Sequence, residues 1–345
     1  MKKKNWMLVS AVLPFAALAQ QQDCSQLAQD AERLACYDRL YGKPAKQSPT
    51  QISHETGTAA QRKEQPVATA SPAAREVDGL SERWELEPAN AKSLFFPKPY
   101  KPVYILPVAY SNRINAAPFS PAPGHQADKV DLDAVEAKFQ LSFKSKIMEN
   151  VLGTKANLWG AYTQSSRWQV YNGGLSRPFR ETNYEPEAML VYPLSFDMLG
   201  WQARMASLGI NHQSNGRALP LSRSWNRIIG ELALEQGDWS ISLRPWWRIK
   251  ESDAADDNPS IQDYAGRGEL LVTRKTGTHI FTFQGRHSLR SGQQSRGSVQ
   301  LDWAFPLLTG LHGYVQIFSG YGESMIDYNF RQTRVGMGVS LVEWR

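Results

Sequence analysis

In the segment Trp239-Ser240-Ile241-Ser242-Leu243-Arg244-Pro245-Trp246-Trp247-Arg248-Ile249-Lys250, apolar and polar residues alternate. Trp239, Ile241, Leu243, Pro245, Trp247 and Ile249 share one parity, and Ser240, Ser242, Arg244, Arg248 and Lys250 the other, with Trp246 the exception. Successive strand residues point to opposite faces, so the segment has one greasy face and one charged face. The charged face does not suit the core of a sandwich. Lipid outside and a polar lumen inside account for both.

The same alternation recurs along the chain. Ala137, Phe139, Leu141 and Phe143 oppose Lys138, Gln140, Ser142 and Lys144; Val299, Leu301, Trp303 and Phe305 oppose Gln300 and Asp302; Val335, Met337, Val339 and Leu341 oppose Gly336, Gly338 and Ser340. Twelve such segments begin near Lys101, Ala134, Lys155, Glu181, Trp201, Ser222, Asp238, Gln262, Gly277, Ser295, Leu311 and Arg331. An even count of antiparallel strands can close into a barrel. Closure pairs every backbone group inside hydrocarbon, which an open edge cannot do. The expected fold is therefore all-β, a twelve-stranded antiparallel transmembrane barrel, with ten or fourteen strands and a soluble sandwich as the competing readings.

The N-terminal third reads differently. Lys2, Lys3 and Lys4 precede an apolar run from Trp6 to Leu18, and Ala17-Leu18-Ala19 offers small residues for cleavage, so residues 1–19 read as a secretory signal peptide. Residues 20–42 carry helical spacing in Leu27, Ala31, Leu34 and Leu40. Cys24 and Cys36 are the only cysteines, and an exported pair can form a disulfide. One straight helix would hold them roughly 18 Å apart, so a bridge needs a turn or hairpin. Residues 43–95, rich in Pro, Ala, Gln, Ser and Thr over most of their length, read as a disordered linker, and 96–345 as the barrel. The net charge of +6 comes in part from the first three lysines, and no dense basic tract points to nucleic acid.

Within the barrel, Leu208-Gly209-Ile210-Asn211-His212-Gln213-Ser214 puts His212 and Ser214 on the face of Leu208 and Ile210. Asn226 shares its face with Ser222, Ser224, Ile228, Leu232 and Leu234 on the next strand, so all three polar residues project outward. A base beside a nucleophile, with a third group to orient the base, is the pattern of a serine hydrolase. A His and a Ser two apart on a strand are also common without any catalytic role. Gln164 points outward with Leu158 and Tyr162, Glu185 and Glu187 point to the lumen as structural carboxylates, and His279 and His287 lack a metal-ligand cluster.

Longer motifs go further. They are Tyr162-Thr163-Gln164, Ser176 through Pro186, Asn211 through Arg227, Asp256-Asp257-Asn258-Pro259, and Ser319 through Ser324 continuing to Asp327-Tyr328-Asn329-Phe330. Over roughly Lys101 to Leu341 the chain resembles the bacterial outer membrane phospholipase A family. The resemblance implies a calcium-dependent enzyme that cleaves the sn-1 and sn-2 acyl esters of phospholipids and lysophospholipids. It assigns His212, Ser214 and Asn226 to catalysis. It also implies a reversible, calcium-promoted homodimer in the outer membrane, with Gln164 at the interface. One Ca2+ per active site would take the Arg217 carbonyl and Ser222 from one subunit and Ser176 from the other, while Asp257, preceded by three extra residues, matches a calcium position of the monomer. The ion would act with the Ser214 backbone amide to stabilise the developing oxyanion. The chain ends Glu343-Trp344-Arg345 rather than on an aromatic residue, a departure from the usual barrel terminus. The competing reading is a catalytically inactive barrel serving as a pore or structural protein.

Overall fold

The fold is described from a computed structural model of the chain, covering residues 79–342 and residues 29, 32 and 36. Strand β1 (Lys98–Pro99) and β2 (Val103–Ser111) run along β3 (Val135–Met148) as one broken strand, Lys98 opposite Lys144 and Tyr104 opposite Gln140. Pro102 lies in the break, where its missing N–H costs the ladder nothing. The other strands are β4 (Asn157–Trp168), β5 (Phe179–Met198), β6 (Trp201–Ser214), β7 (Ser224–Gln236), β8 (Trp239–Ile249), β9 (Gly268–Thr276), β10 (His279–His287), β11 (Gly297–Leu308), β12 (Leu311–Gly320) and β13 (Gln332–Val342). Each pairs antiparallel with the next, β13 pairs with β2, and the β3–β4 pairing closes the ring. The twelve expected segments are these twelve walls. One start differs: Gln262–Ala265 forms a short helix, α2, and β9 begins only at Gly268, because Gly266 at φ 104° turns the chain first.

Parity sorts the faces. Ile105, Leu141, Phe143, Leu208, Ile210, Trp247 and Met337 are exposed on the outside, where lipid would cover them. Lys138, Lys144, Arg167, Arg227, Arg244 and Glu269 are buried inside. Two layers of ion pairs occupy the lumen. In one, Glu323 meets Lys138 at 2.9 Å and Arg167 at 3.0 Å, while Arg180 meets Glu136 at 2.9 Å and Asp327 at 2.7 Å. In the other, Lys101 joins Glu185 and Glu187 at 2.9 and 3.0 Å, and Arg227 joins Glu185 at 3.0 Å.

Residues 79–95, read from composition as linker, are instead ordered against one barrel mouth. Helix α1 (Leu80–Trp84) inserts Trp84, which meets Tyr100 and Trp159 edge to face at 5.8 and 5.6 Å and receives the Lys144 ammonium 3.0 Å from its ring centroid. The Leu80 amide donates to Glu235, and Glu85 pairs with Lys98 and Lys146 at 3.0 and 2.7 Å. Burial of one aromatic and pairing of one carboxylate overcome a low-propensity composition. Of the 20–42 segment, Glu32 and Cys36 are helical and Cys36 is disulfide-bonded; Cys24 and the expected signal peptide lie outside the described residues. Among the described residues no helix is long and apolar enough to cross a membrane.

Candidate active site on the outer wall

The connections 112–134, 169–178, 215–223, 250–267, 288–296 and 321–331 all lie at one end of the barrel, and the plug α1 sits at the other. Long loops mark the extracellular end of such barrels and short turns the periplasmic end. His212 and Ser214 are near the end of β6 and Asn226 near the start of β7, so all three stand close to the long-loop end. Antiparallel register puts His212 directly opposite Asn226, and Ser214 opposite Ser224. His212 is exposed; Ser214 and Asn226 are half-buried.

The His212 Nδ1 lies 2.8 Å from Asn226 Oδ1. An amide oxygen can only accept, so Nδ1 carries the proton and Nε2 is left as the basic nitrogen. The orientation of the amide is fixed from behind, since Asn226 Nδ2 donates to Glu251 Oε1 at 2.9 Å. Glu251 follows β8, and no motif in the sequence marks it. The run Glu251-Ser252-Asp253 looks like any solvated loop; only the register of β7 against β8, Asn226 opposite Ile249, brings it to the site.

The β6–β7 connection is built around buried Asn215. Its Oδ1 accepts from the Arg217 and Arg223 amides, and its Nδ2 donates to the Leu221 carbonyl at 2.8 Å. That staple holds Arg217 and Ser222 on one short loop. Ser222 Oγ donates to Asp257 Oδ2 at 2.5 Å, and His125 Nε2 lies 3.1 Å from the other Asp257 oxygen. The structure thus brings Ser222 and Asp257 together. Ser176 is exposed on the 169–178 connection in a left-handed conformation, and among the described residues none of its hydrogen bonds joins it to Arg217, Ser222 or Asp257.

Hydroxyl, carboxylate and backbone carbonyl are the hard oxygen donors that calcium takes. This chain supplies few of them in one place: among the described residues no three His, Cys, Asp or Glu side chains form a metal cluster. Calcium takes about 6–8 oxygens. The donor set fits such an ion only if other oxygens, from water or a second copy, complete it.

Gln164 stands on the outer face of β4 between Leu141 and Tyr184, and Tyr162 Oη donates to its Oε1 at 3.2 Å. Glu185 and Glu187 are in the lumen among cations. His279 stacks with Phe281 and Trp303 near the mouth opposite the long loops, and His287 lies 3.0 Å from Ser295; neither reaches the site.

Residues 80–341 match the family model described as phospholipase A1. The chain is 42% identical to a phospholipase A1 of Klebsiella pneumoniae over 60% of this chain and 70% of that one. Its barrel is similar to the solved outer membrane phospholipase A from Escherichia coli, at TM-score 0.65 and 35% identity over 74% of this chain and 95% of the other. It is also similar to an outer membrane phospholipase of Salmonella typhi solved as a dimer with bound calcium, at TM-score 0.65 and 34% identity over 75% and 96% of the two chains.

Proposed function

Since the chain belongs to the phospholipase A1 family of outer-membrane barrel hydrolases, we propose that it hydrolyses the sn-1 and sn-2 acyl esters of phospholipids and lysophospholipids, with Ser214 as nucleophile, His212 as base and Asn226 as its orienting group. One observation carries this reading: the 2.8 Å contact from His212 Nδ1 to Asn226 Oδ1 on a lipid-facing wall, with Ser214 two residues along the same face. His212 Nε2 removes the Ser214 hydroxyl proton as Oγ attacks the ester carbonyl. The imidazolium then gives that proton to the departing glycerol oxygen as the C–O bond breaks. Water, deprotonated by the same nitrogen, releases the fatty acid and restores Ser214.

A neutral amide stabilises the imidazolium less than an aspartate would. Bound calcium would supply positive charge near the developing oxyanion. The Arg217 carbonyl and Ser222 of this chain are the groups that would hold it in the dimer, with Ser176 and further oxygens from a second copy, while Asp257, bonded to Ser222 here, would hold calcium in the monomer. Gln164 is then an interface residue, and the enzyme is a reversible, calcium-promoted homodimer whose joined walls also form clefts for acyl chains. The position near the long-loop end supports phospholipid of the outer leaflet as the substrate. The pore alternative is opposed by the ion pairs in the lumen and by Trp84 at one mouth.

The test is fatty-acid release from micellar phospholipid by the refolded full chain, with calcium and with a chelator, alongside the apparent mass in detergent. Release and dimer should both require calcium. Ser214→Ala should lose release while lumenal Glu185→Gln keeps it; release undiminished in Ser214→Ala would sink the mechanism.

A further inference from the structure

Asn226 is not the end of the hydrogen-bond chain. Its Nδ2 donates to Glu251 Oε1 at 2.9 Å, so a carboxylate stands behind the neutral amide. We infer that Glu251 is a positioning residue for the hydrolytic reaction, locking the Asn226 amide and supplying, through it, the negative charge that the His212–Ser214–Asn226 group lacks. The inference rests on the catalytic reading above.

Three features support it. First, the bond decides the amide rotamer. With the NH2 committed to a carboxylate, the oxygen must face His212, and Nδ1 must keep its proton. An amide free to flip would present a donor to a donor half the time. Second, an amide whose N–H is bound by a carboxylate is polarised, and its oxygen becomes a better acceptor for an imidazolium.

Third, Glu251 is held in place. Arg248 Nη2 lies 3.5 Å from Glu251 Oε2 but only 2.5 Å from Asp256, and Arg248 Nη1 binds the Asn258 and Pro259 carbonyls. Arg248 is shared between the two carboxylates, so a single cation faces two negative charges and Glu251 is only partly neutralised. Asn258 Oδ1 in turn accepts the Ser224 amide at 2.9 Å, tying the loop to the start of β7. The same loop carries Asp257 to Ser222. One segment therefore sets both the amide behind the base and the oxygen-rich position beside it.

The test is a double-mutant cycle on the full chain in micelles with calcium. Glu251→Ala should lower kcat about tenfold, the order expected for loss of a charged hydrogen-bond partner, with KM for micellar phospholipid unchanged. Glu251→Gln, which keeps an acceptor for Nδ2 but not the charge, should fall between Glu251→Ala and the parent. In an Asn226→Ala background, Glu251→Ala should cost nothing further, because its path to His212 is gone. Parental kcat in Glu251→Ala overturns the inference, as does the same loss with and without Asn226, which would mark a purely structural role. Ser214→Ala separates the two levels: if it is inactive while Glu251→Ala is parental, only this inference falls, and if it is active the catalytic reading falls with it.

Discussion

Glu185 and His212 lie on neighbouring strands, one facing the lumen and the other facing lipid, and their surroundings are opposite. Glu185 accepts from Lys101, Arg227 and Asn211 at 2.9–3.0 Å, so its charge is spent on neighbours within the barrel. Among the described residues His212 bonds to Asn226, on a face shared with Ser214 and the exposed Leu208, Ile210 and Ile228. Charged residues that satisfy one another in the lumen fix the shape of the barrel. A few polar groups left together on an apolar face cost desolvation and are kept for what they can do to a ligand.

The sharpest break in this comparison is His212→Gln. It should reduce kcat by about 10⁴-fold, since nucleophile and base act as a unit, while the folded barrel survives a thermal melt unchanged. A variant that loses its fold with its activity would put His212 on the structural side.

The converse is Glu323→Gln in the lumen. Glu323 is buried among Lys138, Arg167, Arg180 and Arg334. Removing its charge leaves those cations underpaired and should cost about 3–5 kcal/mol in denaturant unfolding, with kcat of the folded fraction intact. Equal stability would mean that the lumenal pairs are not structural.

The smallest effect belongs to the plug. Burial alone would raise the Glu85 carboxyl, but hydrogen bonds from Lys146, the Lys92 amide and Lys98 hold it below its ordinary value. A carboxyl depressed in the folded state stabilises above the ordinary carboxylate range and stops doing so as pH falls through the depressed value. Proteolysis of residues 79–95 should therefore rise in acid, and Glu85→Gln should raise it already at neutral pH. Cleavage that does not change with pH in the parent would contradict the assignment.

These faces were legible in sequence to different depths. Period-two alternation exposed the twelve walls, because lipid and lumen impose opposite polarity on each residue in turn. It also put His212, Ser214 and Asn226 outside. It could not reveal α1, because a five-residue helix is held by Trp84 in a ring cluster drawn from distant strands rather than by local propensity. Nor could it reveal Glu251, whose role depends on how far β8 extends beside β7. Asp257 was singled out through a family motif, but its bond to Ser222 needs two loops to meet. Paired neighbours are written in the sequence; partners across loops are written in the register.

Covalent labelling tests whether the chemistry sits on the lipid-facing wall. The refolded chain in detergent with calcium would be treated with a long-chain alkyl fluorophosphonate and mapped by mass spectrometry. A single adduct on Ser214, absent from His212→Gln, is the predicted result. An adduct on a lumenal side chain, or hydrolysis that continues with Ser214 fully blocked, would contradict it.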